Sequence, residues 1–107
     1  MKYIKTFENI ENLPEIDDWV IMKTLSSHNI VKNFINNTIG EVVNLDKTNI
    51  QNIDITVMYY DIPEDFKKLM NVDSDVYVRE FRSNQIVEFA KTKEELELKL
   101  QSNKYNI

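Results

Sequence analysis

The strongest constraint on the fold of this chain is a run of alternating residues between positions 53 and 60, IDITVMYY. Ile53, Ile55, Val57 and Tyr59 fall on one side of an extended chain, and the residues between them fall on the other side. This period of two is typical of a strand with one buried face, and β-branched and aromatic residues favour the same structure. We therefore predict a sheet built around this segment.

Three further strands are predicted from shorter segments rich in β-forming residues. They span residues 19–25 (WVIMKTL), 39–45 (IGEVVNL) and 76–81 (VYVREF). The first has apolar residues on both faces, which predicts that both faces are largely buried. Gly40, the only glycine, is expected to permit a bulge or a close approach of the backbone. The polar residues 46–52 are interpreted as a turn.

Helices are predicted from helical spacing and from capping residues. They cover residues 28–37, 61–70, 84–90 and 93–100. The expected N-terminal caps are, in the same order, Ser26 or Ser27, Asp61 with Glu64, Ser83, and Thr92 with Glu95. The last segment also alternates like a strand, but its residues are strong helix formers, so we predict a helix.

The chain length of 107 residues fits one domain with an unaided core. Residues 1–15 are predicted to be an N-terminal amphipathic segment and linker, because Ile4, Phe7 and Ile10 share a helical face before Pro14 interrupts the pattern. Residues 16–107 are predicted to form a single α+β domain. The chain has no cysteine and no long apolar run, so we expect a cytoplasmic protein.

The net charge of −5 constrains the partners of the protein. An acidic chain repels nucleic acid and anionic membranes in non-specific contacts, so no membrane association is expected and basic partners are favoured. The same charge permits mimicry of nucleic acid, in which carboxylates occupy the basic groove of a partner. An acidic surface also serves solubility alone, and both interpretations stay open.

Few side chains could form a reactive centre. His28 is the only histidine, and no second histidine or cysteine exists to complete a metal set or a nucleophilic pair, so a capping or surface role is expected. Asp73 and Asp75 have the spacing of calcium loops without the glycine and the distal glutamate, which favours a solvated turn. A single glycine excludes the common nucleotide-binding loops. We expect no catalytic residues, no metal site and no cofactor; an enzyme that uses scattered carboxylates is the least supported alternative.

The candidate binding residues lie on or beside the predicted strand 76–81. Both arginines of the chain are interleaved there with aromatic residues, and Tyr60 ends the preceding strand, which gives the set Tyr60, Tyr77, Arg79, Phe81 and Arg82. Aromatic rings stack on bases and arginine pairs with phosphate, which would suit RNA or a small nucleotide. Tyrosine and arginine are also favoured anchors in protein interfaces. A purely structural interpretation places Phe81 in the core and pairs both arginines with acids such as Glu80.

Three segments, DDWVIMK, TIGEVVNL and IDITVMYYDIP, together resemble the small SH3-like barrels of the KOW type. The likeness lies in a first strand that follows an acidic turn and in a second strand with a Gly-x-Val-Val step, and it covers roughly half of the chain. It implies an α+β fold in which a small, partly open antiparallel barrel or sheet carries inserted and C-terminal helices. It also implies a module that contacts RNA or a nucleoprotein complex.

The two ends of the chain, MKYIKTFENI and KTKEELELKLQSNKYN, resemble those of small uncharacterised proteins of tailed bacteriophages. Leu13-Pro14-Glu15 is also similar to the Leu-x-Glu site at which some tailed phages remove a leader from head proteins. The resemblance implies a phage origin, which would place the protein in the host cytoplasm, and it implies no activity.

These observations favour a binding protein over an enzyme. We expect a non-enzymatic, phage-type protein that acts on a host macromolecule or a signalling ligand, as inhibitors of host defence do. A host protein is the expected partner, and basic, nucleic-acid-binding proteins are candidates for it. The alternative is an SH3-like module that binds RNA or a nucleoprotein complex.

Overall fold

The computed structural model describes residues 13–25, 28–48, 51 and 53–105, with side chains through residue 101. Five strands and three helices are formed in these ranges. The strands are β1 (Trp19–Met22), β2 (Ile39–Asp46), β3 (Asp54–Tyr60), β4 (Val76–Arg82) and β5 (Ile86–Ala90), and the helices are α1 (Asn29–Asn37), α2 (Glu64–Met70) and α3 (Lys93–Tyr105). The amphipathic helical face predicted for the N-terminal segment lies outside the described residues.

The five strands form one antiparallel sheet in the order β4-β3-β2-β1-β5. β4 and β5 are its two edges, so the described sheet is open rather than closed into a barrel. Two helices are inserted between strands, α1 after β1 and α2 after β3, and α3 follows the last strand. The predicted fold class is confirmed: a small open antiparallel sheet with inserted and C-terminal helices.

One face of the sheet packs against α1 and α2, and we call it the α1–α2 face. Its core contains Val20, Met22, Val31, Ile35, Val42, Ile53, Ile55, Val57, Tyr59, Ile62, Phe66 and Phe81. The alternation predicted for residues 53–60 is confirmed, because all four of its odd-numbered residues lie in this core. Each large apolar side chain removed from water there contributes on the order of 2 kcal/mol to folding.

The opposite face packs against α3, and we call it the α3 face. Ile21, Ile39 and Leu96 form a second, smaller core there, with Trp19 and Leu100 packed against it. The helix contacts β5, β1 and β2. β1 is therefore buried between two layers of helix, as the apolar residues on both of its faces predict.

The helix predicted for residues 84–90 is wrong. Ser83–Gln85 form a single 3₁₀ turn, and Ile86–Ala90 form β5 beside β1. The strand prevails because its pairing satisfies the outer backbone groups of β1, a long-range gain that local helical spacing does not reveal. Gln85 closes the turn, since its Oε1 accepts a hydrogen bond from Arg82 N at 2.9 Å.

The capping box predicted at the start of α2 is also wrong. The helix begins at Glu64 after Pro63, which takes the capping position without a side-chain hydrogen bond. Asp61 lies farther upstream in a left-handed conformation, with φ of 54°. A residue before proline is disfavoured in the helical region, so Pro63 excludes Ile62 from the helix and the helix starts beyond Asp61.

The caps of α1 and α3 are formed differently. His28 caps α1, because its Nδ1 accepts a hydrogen bond from Ile30 N at 3.4 Å, whereas the serines at 26–27 lie outside the described residues. Of the box predicted before α3, one half is formed, since Glu95 N donates to Thr92 Oγ1 at 3.4 Å. The Glu95 carboxylate accepts from the Thr92 hydroxyl at 3.2 Å, which is not the backbone bond of a full capping box. None of the described helices combines the length and the apolar composition of a membrane span.

A turn at residues 15–18 contacts the rest of the domain through ion pairs and is stabilised by a hydrogen bond within it. The buried carboxylate of Asp18 accepts a hydrogen bond from Glu15 N at 2.8 Å, and Lys91 forms ion pairs with both acids. The bonds to Glu15 and Asp18 raise the pKa of Lys91. Pro14 is fully buried, so the described part of the predicted linker packs on the domain.

Candidate interaction surface

Half of the α3 face is left uncovered by the described helices, and we call this half the open face. It is formed by β3, β4 and the adjoining part of β2. Residues paired across antiparallel strands project to the same side, so the register defines its composition. Its rows, from β2 through β3 to β4, are Glu41–Met58–Val78, Asn44–Thr56–Glu80 and Asp46–Asp54–Arg82, with Tyr60–Val76 as a further row at one end. All of these side chains are half-buried or exposed.

One end of the open face is apolar. Met58, Tyr60, Val76 and Val78 are neighbours across β3 and β4, and we call them the apolar patch. Val78 and Tyr60 keep 47% and 38% of their surfaces exposed. Single exposed apolar residues are normal on a protein, but a contiguous group with a polar rim is typical of an interaction surface.

The rest of the open face carries mostly negative charge. Glu41, Asp46, Asp54 and Glu80 supply four carboxylates, and Arg82 is the one cation in these rows. Arg82 lies opposite Asp54 in the register. Within the described chain, neither arginine forms an ion pair with a carboxylate. The open face therefore presents an excess of carboxylates directly beside the apolar patch.

Tyr60 joins the apolar and the acidic parts of this surface. Its hydroxyl donates a hydrogen bond to Glu41 Oε1 at 2.6 Å. This bond raises the pKa of the Tyr60 phenol, because it favours the protonated form beside a carboxylate. The bond also holds the Tyr60 side chain in one position, as a preorganised contact residue requires.

The five predicted binding residues do not share one face of the sheet. Tyr60 and Arg82 lie on the open face, whereas Tyr77, Arg79 and Phe81 lie on the α1–α2 face. Phe81 is only 3% exposed, which confirms its predicted place in the core. The ion pairs that the structural interpretation expected for the arginines are not formed in the described part of the chain. The alternation of side chains along β4 causes this division.

Arg79 and Tyr77 form a small group on the α1–α2 face of the edge strand. Arg79 Nη1 donates to the Tyr77 hydroxyl at 3.4 Å, and its Cζ lies 5.6 Å from the centre of the Phe81 ring. Tyr77 packs edge-on against Phe66, with ring centres 5.0 Å apart. These contacts keep Arg79 half-buried without a described carboxylate to balance its charge.

Tyr59 has a feature that sequence reasoning missed. Its side chain is fully buried, with its ring centre 5.3 Å from that of Phe34, and its hydroxyl has no hydrogen-bond partner among the described residues. Burial raises the pKa of the Tyr59 phenol well above its usual value, although the nearby Arg79 opposes the shift. Alternation places Tyr59 in the core, but no sequence signal tells whether a buried hydroxyl finds an acceptor.

The residues singled out as possible ligands contribute to local structure. His28 caps α1, and Asp75 forms an ion pair with Lys67 of α2. The ranges that the structure describes contain no group of three or more histidine, cysteine, aspartate or glutamate side chains placed to hold a metal ion. No known protein family, curated protein or solved structure matches the chain.

Proposed function

We propose that this protein is a non-enzymatic binding protein whose open face binds a basic, partly apolar surface of a macromolecular partner. One observation carries the proposal: the apolar patch shares an uncovered half of the sheet with four carboxylates, of which those of Glu41 and Glu80 adjoin it. If a phage encodes the chain, as the resemblance of its ends implies, the partner is a host protein. Occupation of its basic surface would inhibit it, as expected of a protein that counters host defence.

The apolar patch would supply the binding energy. Removal of apolar surface from water contributes about 25 cal/mol per Å² to the binding free energy. The entropy that the two molecules lose on association reduces this gain. Tyr60 is suited to a central contact, because tyrosine offers a large rigid area and is enriched among residues that dominate interfaces. Its hydrogen bond to Glu41 already fixes the side chain, so little conformational entropy would be lost on binding.

The carboxylates would select the partner and speed its approach. Charges of one sign on a face attract a partner of the opposite sign and repel one of the same sign. The net charge of −5 acts in the same direction as the local excess on the open face. A nucleic-acid-binding protein, which presents lysine and arginine beside apolar contacts, matches both parts of this surface.

RNA or nucleotide binding is a second candidate function, and it rests on Arg79. Its guanidinium lies beside Tyr77 without a described carboxylate partner, so a phosphate could approach it. The position of Phe81 in the core and of Arg82 on the opposite face makes this group smaller than the one predicted. Retention of oligonucleotides by the wild type, and their loss from Arg79→Ala, would favour this candidate.

Affinity capture from a bacterial host lysate tests the main proposal. Met58→Lys places a cation in the middle of the open face, whereas Leu69→Lys places the same charge on the exposed side of α2. We expect the wild type and Leu69→Lys to retain the same dominant basic protein, and Met58→Lys to retain it at least about tenfold less. Rising salt should weaken retention, because it screens exposed charges.

Two outcomes of this experiment contradict the proposal. The first is equal retention of every captured protein by Met58→Lys and the wild type. The second is a loss caused by Leu69→Lys and not by Met58→Lys, which would move the contact to the helical side. Thermal unfolding of both variants checks that neither substitution disrupts the domain.

A further inference from the structure

The outer edge of β4 carries backbone groups that no described residue satisfies. Ser83 N donates to Ile53 O at 2.9 Å, and these residues stand opposite one another in the extended β3–β4 register. Hydrogen-bonded and non-hydrogen-bonded pairs alternate along an antiparallel ladder. The odd-numbered residues of β4 therefore bond to β3, and the even-numbered residues direct their N–H and C=O groups away from the sheet.

At both ends of β4, side chains accept hydrogen bonds from the outward N–H groups. Val76 N donates to Ser74 Oγ at 3.1 Å, and Arg82 N donates to Gln85 Oε1 at 2.9 Å. The outward N–H groups of Val78 and Glu80, between these ends, have no such partner in the described chain. A short central stretch of β4 is thus available to another strand.

We propose that β4 pairs with β4 of a second copy of this chain, antiparallel, about a twofold axis through Val78. In this register Val78 lies opposite Val78 of the partner subunit, and Arg79 lies opposite the partner subunit's Tyr77. The two sheets then continue into one another across the interface. The pairing uses backbone groups at the edge of the sheet, and it also brings Val78 of the apolar patch against its copy. It does not rest on the proposed function, because a dimer of this chain needs no other partner.

Charge selects the register. A symmetric pairing of the middle of β4 places its axis through Val78, Arg79 or Glu80. An axis through Arg79 or Glu80 sets two like charges directly opposite one another, which destabilises a cross-strand pair. An axis through Val78 instead sets an apolar pair at the centre and each guanidinium against a tyrosine ring of the other copy, a favourable contact.

The same pairing covers apolar surface, and β4 lacks three of the common protections of an edge strand. Val78 is 47% exposed and lies beside Met58, so the apolar patches of the two copies would adjoin. Edge strands are commonly protected by lysine, proline or a bulge, and β4 contains neither residue and no register shift against β3. The other edge strand, β5, differs from β4 because another segment of the chain lies beside it: Leu13 and Phe89 of β5 line the same groove.

The oligomeric state of the isolated full chain tests the pairing. Val78→Pro removes an outward N–H without removing a bond to β3, whereas Val78→Thr keeps both the N–H and the branched shape. By sedimentation velocity across the micromolar range, we expect the wild type and Val78→Thr to form dimers and Val78→Pro to remain monomeric. A monomeric wild type, or a folded Val78→Pro that dimerises equally well, would overturn the proposal.

Single cysteines test the register, since the chain has none of its own. Cysteines at position 78 of the two copies would have Cα atoms roughly 5.5 Å apart, within reach of a disulfide. Cysteines at position 80 would lie about 13 Å apart along the strands. We expect Val78→Cys to cross-link at least about tenfold faster than Glu80→Cys and the exposed control Lys68→Cys.

The cross-linking rates also define what would contradict the inference. Equal rates for Val78→Cys and Lys68→Cys would overturn the dimer, even where Val78→Pro fails to fold. Faster cross-linking of Glu80→Cys would overturn the register. Because the experiment contains only this chain, its result does not depend on whether the open face binds a host protein.

Discussion

Val57 and the ring of Tyr59 fill the space that a side chain on Gly40 would occupy. A Cβ atom at position 40 would clash most closely with Val57 Cγ1 and would come within 2.9 Å of Tyr59 Cε1. The only glycine of the chain thus lets β2 lie close to bulky core residues of β3. Of the two roles expected for this glycine, the structure shows close approach, because the register shift lies farther along, between Val42 and Asn44.

Gly40→Ala is expected to lower the free energy of unfolding by about 2–3 kcal/mol, because the added methyl group overpacks the core. Urea denaturation measures the loss. The double variant Gly40→Ala/Val57→Ala should lose less than the sum of the two single variants, since removal of the Val57 methyl groups makes room. A neutral Gly40→Ala, or fully additive losses, would show that the contact is not tight.

Tyr59→Phe is expected to leave the domain as stable or to stabilise it by about 1 kcal/mol. The substitution removes a buried hydroxyl that has no described partner and keeps the ring contacts. Tyr77→Phe is the matched control, because its hydroxyl accepts a hydrogen bond from Arg79 and should give no gain. A loss of more than about 1 kcal/mol in Tyr59→Phe would indicate a hydrogen bond to the Tyr59 hydroxyl.

The free energy of unfolding is also expected to fall at alkaline pH. Burial raises the pKa of Tyr59 in the folded chain above its ordinary value of 10.0. The unfolded chain therefore loses this proton at a lower pH than the folded chain, and unfolding is favoured progressively as the pH rises above 10.0. Tyr59→Phe should remove this part of the decline in urea denaturation curves. Parallel declines in both proteins would exclude Tyr59 as a source.

The turn before β1 should depend more on Asp18 than on Lys91. Asp18→Ala removes the buried acceptor of the Glu15 N–H and should lower the free energy of unfolding by about 1–2 kcal/mol. Lys91→Met removes the two ion pairs of a largely exposed ammonium group with Glu15 and Asp18, which water and salt screen, so its effect should be smaller. Thermal unfolding of the two variants measures both effects. A larger effect of Lys91→Met than of Asp18→Ala would contradict the prediction.

The strands of the core were predictable because their signal is local. The alternation of residues 53–60 survives in the structure, as do the apolar residues on both faces of β1. The helix prediction for residues 84–90 failed because their pattern fits both a helix and a strand. Their pairing with β1 decides for the strand, and it is a long-range contact. Local patterns cannot reveal which strand needs a neighbour.

The candidate site was predictable only in part. Alternation along residues 76–81 already separates Arg79 from Arg82, and sequence reasoning grouped them because they are close in the chain. The open face depends on how far α3 extends across the sheet, which is a matter of tertiary packing. Tyr60 was named as a candidate, but Met58 and Val78 acquire their role only through the register of β3 and β4.

Photo-crosslinking in host cells tests the central claim most directly. A photoreactive phenylalanine analogue at position 58 would lie on the open face, and the same analogue at position 69 would lie on the exposed side of α2. We predict discrete adducts with one or a few basic host proteins from position 58 and none of these from position 69. An absence of adducts from position 58, or the same adducts from both positions, would contradict binding through the open face.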